Sequence, residues 1–366
     1  MARLTRAAAL LAALPLASAW IPTVKSVYEF GNVEDPALNR DSCGSVRVDD
    51  RMLWTCRDTQ GFGSDGKPTL PVWLSSASWS NFNGLALPDT RMYSTSNRNP
   101  YYAQLSSECP FNSAGVCGDG TRYAIWPDQP PVITARNGNT WTGYTWIARQ
   151  HIRDDFSSVV KDPKVSLYKF DFDVKMGDRN AVPRMTLVRE EIFPQGSFPF
   201  GTHGSAEKDG LVFLWGKASN GRIAMARVPT WGVEDPSRYE YYVDGRWTSQ
   251  RPGIDNRGVE VANSSAGGQG TYFYSPYWKK WVWIGQGYFS IVADFLITAA
   301  DIPEGPWDTP QSFYRGKDGS APLSAYTLQA HPGMHLAGYH DGNDIFISYT
   351  KQDDVYTTPL VRVFFN

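Results

Sequence analysis

Two aspartates near the start of the chain have the spacing for acid–base chemistry. Asn39-Arg40-Asp41-Ser42-Cys43-Gly44 enters one strand, and Leu53-Trp54-Thr55-Cys56-Arg57-Asp58-Thr59-Gln60 leaves the next. Between them Val46 and Val48 alternate, Asp49-Asp50-Arg51 turns and Met52 to Thr55 returns, the pattern of a β-hairpin. Antiparallel pairing then brings Asp41 and Asp58 to the same sheet edge. Two carboxylates held close are what hydrolysis of a glycosidic bond requires: one acts as general acid, the other as base or nucleophile. Their separation decides between retention and inversion. Mutual repulsion and partial burial push the two pKa values apart and so assign the roles. The structural alternative is that both aspartates cap turns.

Other residues could position or tune a substrate. Asp128 stands in Trp126-Pro127-Asp128-Gln129-Pro130-Pro131, where prolines fix the backbone on both sides and aim the side chain. His203 sits between glycines in Gly201-Thr202-His203-Gly204, free to project toward a sugar hydroxyl or to serve as a structural histidine. Trp126 and Glu260 complete the candidate substrate-binding set. Glu207, Asp294 and His331 carry weaker signals, and Glu190-Glu191 reads as a solvated strand edge. Most tryptophans belong to the core on this reading, with a few left to form a platform for sugar rings.

The elements that must position these side chains are strands. Asn137-Gly138-Asn139, Asp209-Gly210, Asn220-Gly221 and Asp341-Gly342-Asn343 each precede an apolar alternating run, and Asx-Gly between such runs is a strong hairpin signal. No segment predicts a helix longer than a turn or two. The units recur at an irregular period and divide as 37–110, 119–180, 200–245, 255–310 and 325–366. Their openings hold Asp41-Ser42-Cys43-Gly44, Trp126-Pro127-Asp128, Gly201-Thr202-His203-Gly204, Arg257-Gly258-Val259-Glu260 and His331-Pro332-Gly333. We therefore expect an all-β, five-bladed β-propeller over residues 20–366, with the five openings facing one central pocket. A β-sandwich is the alternative.

Composition agrees with many short strands: 33 Gly, 25 Pro, 14 Trp and 19 Tyr. The formal net charge of −2 lacks the basic footprint of a nucleic-acid binder. Arg3 and Arg6, the apolar run Ala7 to Leu16 and the small residues Ala17-Ser18-Ala19 form the layout of a secretory signal peptide, residues 1–19. No later stretch is apolar enough to span a membrane, and nothing resembles a lipid anchor, so release from the cell is expected. In that compartment Cys43, Cys56, Cys109 and Cys117 form two disulfides. Three connectivities exist, of which the local Cys43–Cys56 and Cys109–Cys117 pairs are expected. No CxxC pair and no calcium-loop pattern occurs, so neither a metal nor a cofactor is expected. Asn263-Ser264-Ser265 is an N-glycosylation sequon.

Asp41-x-Cys43-Gly44 followed by Leu53-Trp54 and Arg57-Asp58-Thr59 resembles the opening signature of the domain-of-unknown-function 4185 family. Its characterised members are endo-D-arabinanases of glycoside hydrolase family 183, and the chain resembles a secreted member of fungal type. Ala300 to Pro310, with Gly305-Pro306-Trp307, is similar to a blade ending of propeller glycosidases, as is the turn Tyr274 to Trp281. The resemblance implies that Asp41 and Asp58 are the catalytic carboxylates. Cys43 and Arg57 depart from the family pattern, and Arg57 is placed to pair with Asp58. The expectation is a monomeric, secreted glycoside hydrolase acting on a furanose-containing polysaccharide. A non-catalytic propeller that binds carbohydrate or protein is the second reading, and a secreted structural protein the third.

Overall fold

The computed structural model describes residues 20–84, 87–95, 100–109, 114–335 and 342–366. The proposed signal peptide, residues 1–19, lies outside them. The described chain is all-β, with only two short 3-10 turns, Thr230–Gly232 and Pro236–Arg238. No helix among the described residues is long and apolar enough to cross a membrane.

Five antiparallel sheets follow one another along the sequence. The first contains Cys43–Val48, Arg51–Cys56 and Ser76–Asn81. The second contains Val132–Asn137, Thr140–Ala148, Val165–Asp173 and Thr186–Phe193. The third runs from Gly204–Lys208 through Leu211–Lys217 and Ile223–Pro229 to Glu240–Val243 and Arg246–Thr248. The fourth is Gly267–Ser275, Lys280–Gly287, Asp294–Ala300 and Gln311–Arg315. The fifth is Ala325–Ala330, Asp344–Gln352 and Pro359–Phe365, completed at its far edge by Val24–Asn32 from the other end of the chain. Two small sheets join Leu38–Arg40 to Thr59–Phe62 and Pro68–Trp73, and Arg122–Ala124 to Gln150–Ile152.

The hairpins form where the turn residues allow them. Asp209 and Gly210 both have positive φ, 54° and 78°, which a two-residue turn needs to match the twist of its strands. Each sheet is apolar on both faces, so each must be covered twice. The apolar cores lie between first and second sheets (Trp79 against Phe172), between second and third, and between third and fourth (Trp215 stacked on Tyr272 at 4.0 Å). A fourth core lies between fourth and fifth sheets, and a fifth between the fifth sheet and the first, where Phe346 and Leu360 meet Met52 and Trp54. One cavity of about 350 Å³ draws its lining from every sheet or its flank: Ser45–Arg47, Pro130–Ile133, Ser205–Glu207, Thr271–Tyr274 and Pro332–Gly333.

Both disulfides join the cysteines expected from spacing, Cys43 to Cys56 and Cys109 to Cys117. Cys43 and Cys56 are directly paired across the first hairpin, so the bridge locks its register. Asn263 is exposed.

Candidate functional site

The first hairpin delivers Asp41 and Asp58 to one place. The chain leaves the small sheet at Arg40, crosses Asp41-Ser42, and joins the first sheet at Cys43; it returns through Arg57-Asp58 to Thr59. At this junction the Asp41 N–H donates to the Asp58 carbonyl and its carbonyl accepts from Arg57 N–H, each at 2.9 Å. Ser42 lies in the left-handed region, with φ 53°. Its hydroxyl donates to Asp41 Oδ1 and lies 2.7 Å from Thr327 Oγ1, and Thr327 is itself at φ 50°. A β-branched residue rarely adopts that conformation, so two strained residues brace each other beside one carboxylate.

The two aspartates sit in different surroundings. Burial pushes the Asp41 carboxyl up to about 6, with Arg57 and the Ser42 hydroxyl working against it and Asp58 adding to it. Asp58 is gripped instead. Arg122 Nη1 donates to its Oδ2 at 2.8 Å and Arg122 Nη2 to its Oδ1, a bidentate pair. Trp126 Nε1 donates to the same Oδ1 at 3.0 Å. Arg122 is in turn anchored by Nε on the Ala114 carbonyl at 2.8 Å.

The expected Arg57–Asp58 pair does not form. Arg57 and Asp58 lie in the bend between Cys56 and Thr59, and Arg57 turns toward Asp128 and donates to its Oδ1. The Asp58 partner comes from Arg122, whose side chain the sequence reading did not single out. The Trp126 ring lies near both guanidinium groups, 5.4 Å from that of Arg57 and 5.9 Å from that of Arg122.

Asp128 and His203 line one cleft of about 430 Å³, together with Gln269 and Tyr326. Asp41 and Asp58 are not among its lining residues. Arg57 links Asp41 to Asp128, and Tyr326 borders Asp41; burial, then the Asp41 charge, pushes the phenol pKa up. His203 is neutral near pH 7, because burial and Lys217 push it down to about 3; its Nε2 lies 3.2 Å from Ser265 Oγ. The floor is glycine-rich for steric reasons. Gly267 and Gly268 line it, and a Cβ on Gly268 would sit 2.5 Å from the Gln286 carbonyl oxygen.

Three of the five predicted openings are absent from the lining of this cleft: Asp41 to Gly44, Arg257 to Glu260 and His331 to Gly333. Glu260 is exposed on a loop, 3.9 Å from Arg222 Nε, and is not among the residues lining the cleft. The first strand of the fourth sheet starts later, at Gly267, and Gln269 on it lines the cleft. His331 follows its strand instead of opening it. It is fully buried, with its ring nitrogens 2.7 Å from Ser45 Oγ and Ser348 Oγ, and it packs against Trp54. In that unit Tyr326 faces the cleft. The signals that would have found these residues were the Gly267-Gly268-Gln269-Gly270 run and the Ala325–Ala330 strand. Glu207 lines the separate 350 Å³ cavity.

No protein-family model matches this chain, and no curated protein matches it. Solved structures do. A presumed hydrolase from Bacteroides ovatus ATCC 8483 is similar at TM-score 0.61 and 15% identity, over 92% of this chain and 90% of that one. A GH43_1 enzyme from Xanthomonas citri matches at TM-score 0.47 and 10% identity, over 91% and 89% of the two chains. An exo-beta-1,3-galactanase from Phanerochaete chrysosporium, solved with beta-1,3-galactotriose, matches at TM-score 0.49 and 7% identity, over 92% of this chain and 64% of that one. The first of these similarities shows that the chain shares its fold with the Bacteroides protein.

Proposed function

We propose that this chain is a secreted glycoside hydrolase on a five-bladed β-propeller, cleaving a furanose-containing polysaccharide of the arabinan type. The propeller reading is supported by five sheets with five apolar cores between them, the last core returning to the first sheet. The catalytic reading rests on one observation above all. Asp41 and Asp58 are joined by a backbone hydrogen bond at a disulfide-locked sheet edge, yet their carboxyls have opposite surroundings. Asp41, buried and raised, holds a proton at mildly acidic pH and is the general acid toward the glycosidic oxygen. Asp58, oriented by Arg122 and Trp126, is the second carboxylate, acting as base or nucleophile. Asp128, Arg57 and His203 position the sugar. Screening the secreted protein against D-arabinan, L-arabinan and other polysaccharides tests the reading. Release of new reducing ends from a furanose polymer supports it, and no release from any polymer rejects it.

A non-catalytic sugar-binding propeller is favoured by one feature: both oxygens of Asp58 are engaged by Arg122, and Asp128 is engaged by Arg57. The same screen separates the two, since a binding module has no turnover to detect.

A pH measurement probes the acid directly. Glycine accepts the backbone of Ser42 without strain, so Ser42→Gly keeps the fold while removing the hydroxyl that holds the Asp41 pKa down. The alkaline limb of the rate profile, set by loss of the acid's proton, then moves to higher pH. An unmoved limb assigns the acid elsewhere.

Processing is testable in the same preparation. Trp20 N lies 3.1 Å from Asp308 Oδ2, and the Trp20 ring packs on Trp278 at 5.2 Å. Cleavage after Ala19 turns that amide into an α-ammonium facing a carboxylate. Intact mass and terminal sequencing of the secreted protein are expected to start at Trp20, and Asp308→Asn to lower stability by no more than about 1 kcal/mol. A mature chain beginning elsewhere removes this pair.

A further inference from the structure

One cation in the cleft has no role in the proposed chemistry. Lys217 ends the second strand of the third sheet and lines the cleft with His203 and Gln286. Its Nζ donates to the Gly267 carbonyl and lies 3.8 Å from the centroid of the Tyr288 ring. No carboxylate among the described residues shares an ion pair with it. The acidic residue lining the same cleft, Asp128, is already taken by Arg57. Lys217 therefore has no carboxylate partner among the residues that line the cleft. Burial lowers Lys217 to about 8, so it remains largely charged at pH 7.

A second, independent feature stands at the mouth. Tyr288 and Phe289 are 57% and 84% exposed, their rings 4.1 Å apart, and Ile291 beside them is 47% exposed. All three line the cleft. The loop that carries them is held in shape: Gln286 Nε2 donates to the Ser290 carbonyl at 3.2 Å, and Tyr288 N–H to the Ala266 carbonyl at 3.1 Å. Exposed aromatic rings at the rim of a polar cleft suit the C–H faces of sugars. A cation against one of those rings suits an anion brought in with the sugar.

We propose that the cleft binds a saccharide carrying an anionic group, which pairs with Lys217 while Tyr288 and Phe289 cover a face of the sugar. The inference rests on the cleft being a glycan site and names the class of glycan: a polymer with uronate or sulfated residues. Lys217 is a specificity residue here, and its ammonium can be removed without touching Asp41 or Asp58.

The test is binding of three oligosaccharide sets, hexuronate-containing, sulfated and neutral, to the full chain as wild type and as Lys217→Gln, Lys217→Arg and Phe289→Ala. The wild type is expected to favour at least one acidic set by about tenfold or more, the range of one charge-assisted pair, and less so at high salt. Lys217→Gln loses that preference and keeps neutral binding, Lys217→Arg retains it, and Phe289→Ala weakens all sets alike. Preference for the uronate set alone, or the sulfated set alone, identifies the anion. Equal binding of acidic and neutral sugars, or a preference that survives Lys217→Gln, overturns the proposal. Hydrolysis of neutral polymers with no acidic preference overturns this inference alone. Acidic binding without hydrolysis of any polymer overturns the enzyme reading alone.

Discussion

Asp41→Asn abolishes hydrolysis and makes the protein more stable at pH 7. The loss of turnover follows from removing the proton donor, worth about 10²–10⁴-fold for general acid catalysis. The gain in stability follows from the sign of the shift. Asp41 is raised by burial from 3.8 to about 6, so between those values the folded state binds more protons than the unfolded one. Its favourable contribution is complete below pH 4 and is lost as pH rises through 6. At pH 7 the wild type therefore carries a buried charge that asparagine does not, a difference of roughly 3 kcal/mol. Asparagine keeps an acceptor for the Ser42 hydroxyl. Thermal unfolding from pH 4 to pH 8 checks this: the variant gains on the wild type as pH rises, and the two converge near pH 4. His203 and His331, both lowered to about 3, destabilise both proteins in acid and cancel in the comparison. A variant that is less stable at pH 7 means that Asp41 is a structural carboxylate.

Asp58→Asn moves the other way. The Arg122–Asp58 side chains are 20% and 19% exposed, and the carboxylate accepts three hydrogen bonds from charged or ring N–H donors. An amide presents one acceptor where there were two, and places an NH2 group against the Arg122 fork or the Trp126 N–H. We expect destabilisation of about 1–3 kcal/mol at pH 7, together with a loss of hydrolysis comparable to that of the Asp41 variant. The pair of outcomes is diagnostic. Two catalytic carboxylates lose activity together while their stability changes have opposite signs. Two turn-capping aspartates would both lose stability and leave activity alone.

Much of this arrangement was legible from residue types. The Val46 to Thr55 hairpin, the Asx-Gly turns and the Cys43–Cys56 link follow from period-two alternation, turn chemistry and spacing, all of which are local. Asp128 and His203, which line one cleft, each sit in a proline or glycine frame just ahead of the first strand of their sheet. What was not legible depends on partners distant in sequence. Arg122 is 64 residues from Asp58 and Asp128 is 71 residues from Arg57; nothing local signals either pairing. Glu260 and His331 were misplaced because the first strands of the fourth and fifth sheets were started at the wrong residues. The surface loop before Gly267 mimics a strand opening, and His331 stands at the end of its strand, not its start.

The central claim is that Asp41 and Asp58 together break glycosidic bonds. The most direct measurement is reducing-end release from furanose-containing polysaccharides at pH 5 by wild type, Asp41→Asn and Asp58→Asn, with polymer binding followed in parallel. The account predicts release by the wild type, its loss in both variants, and binding retained in all three because the cleft aromatics are untouched. Near-full rates in both variants would contradict it and move the search to Asp128 and the residues around Lys217.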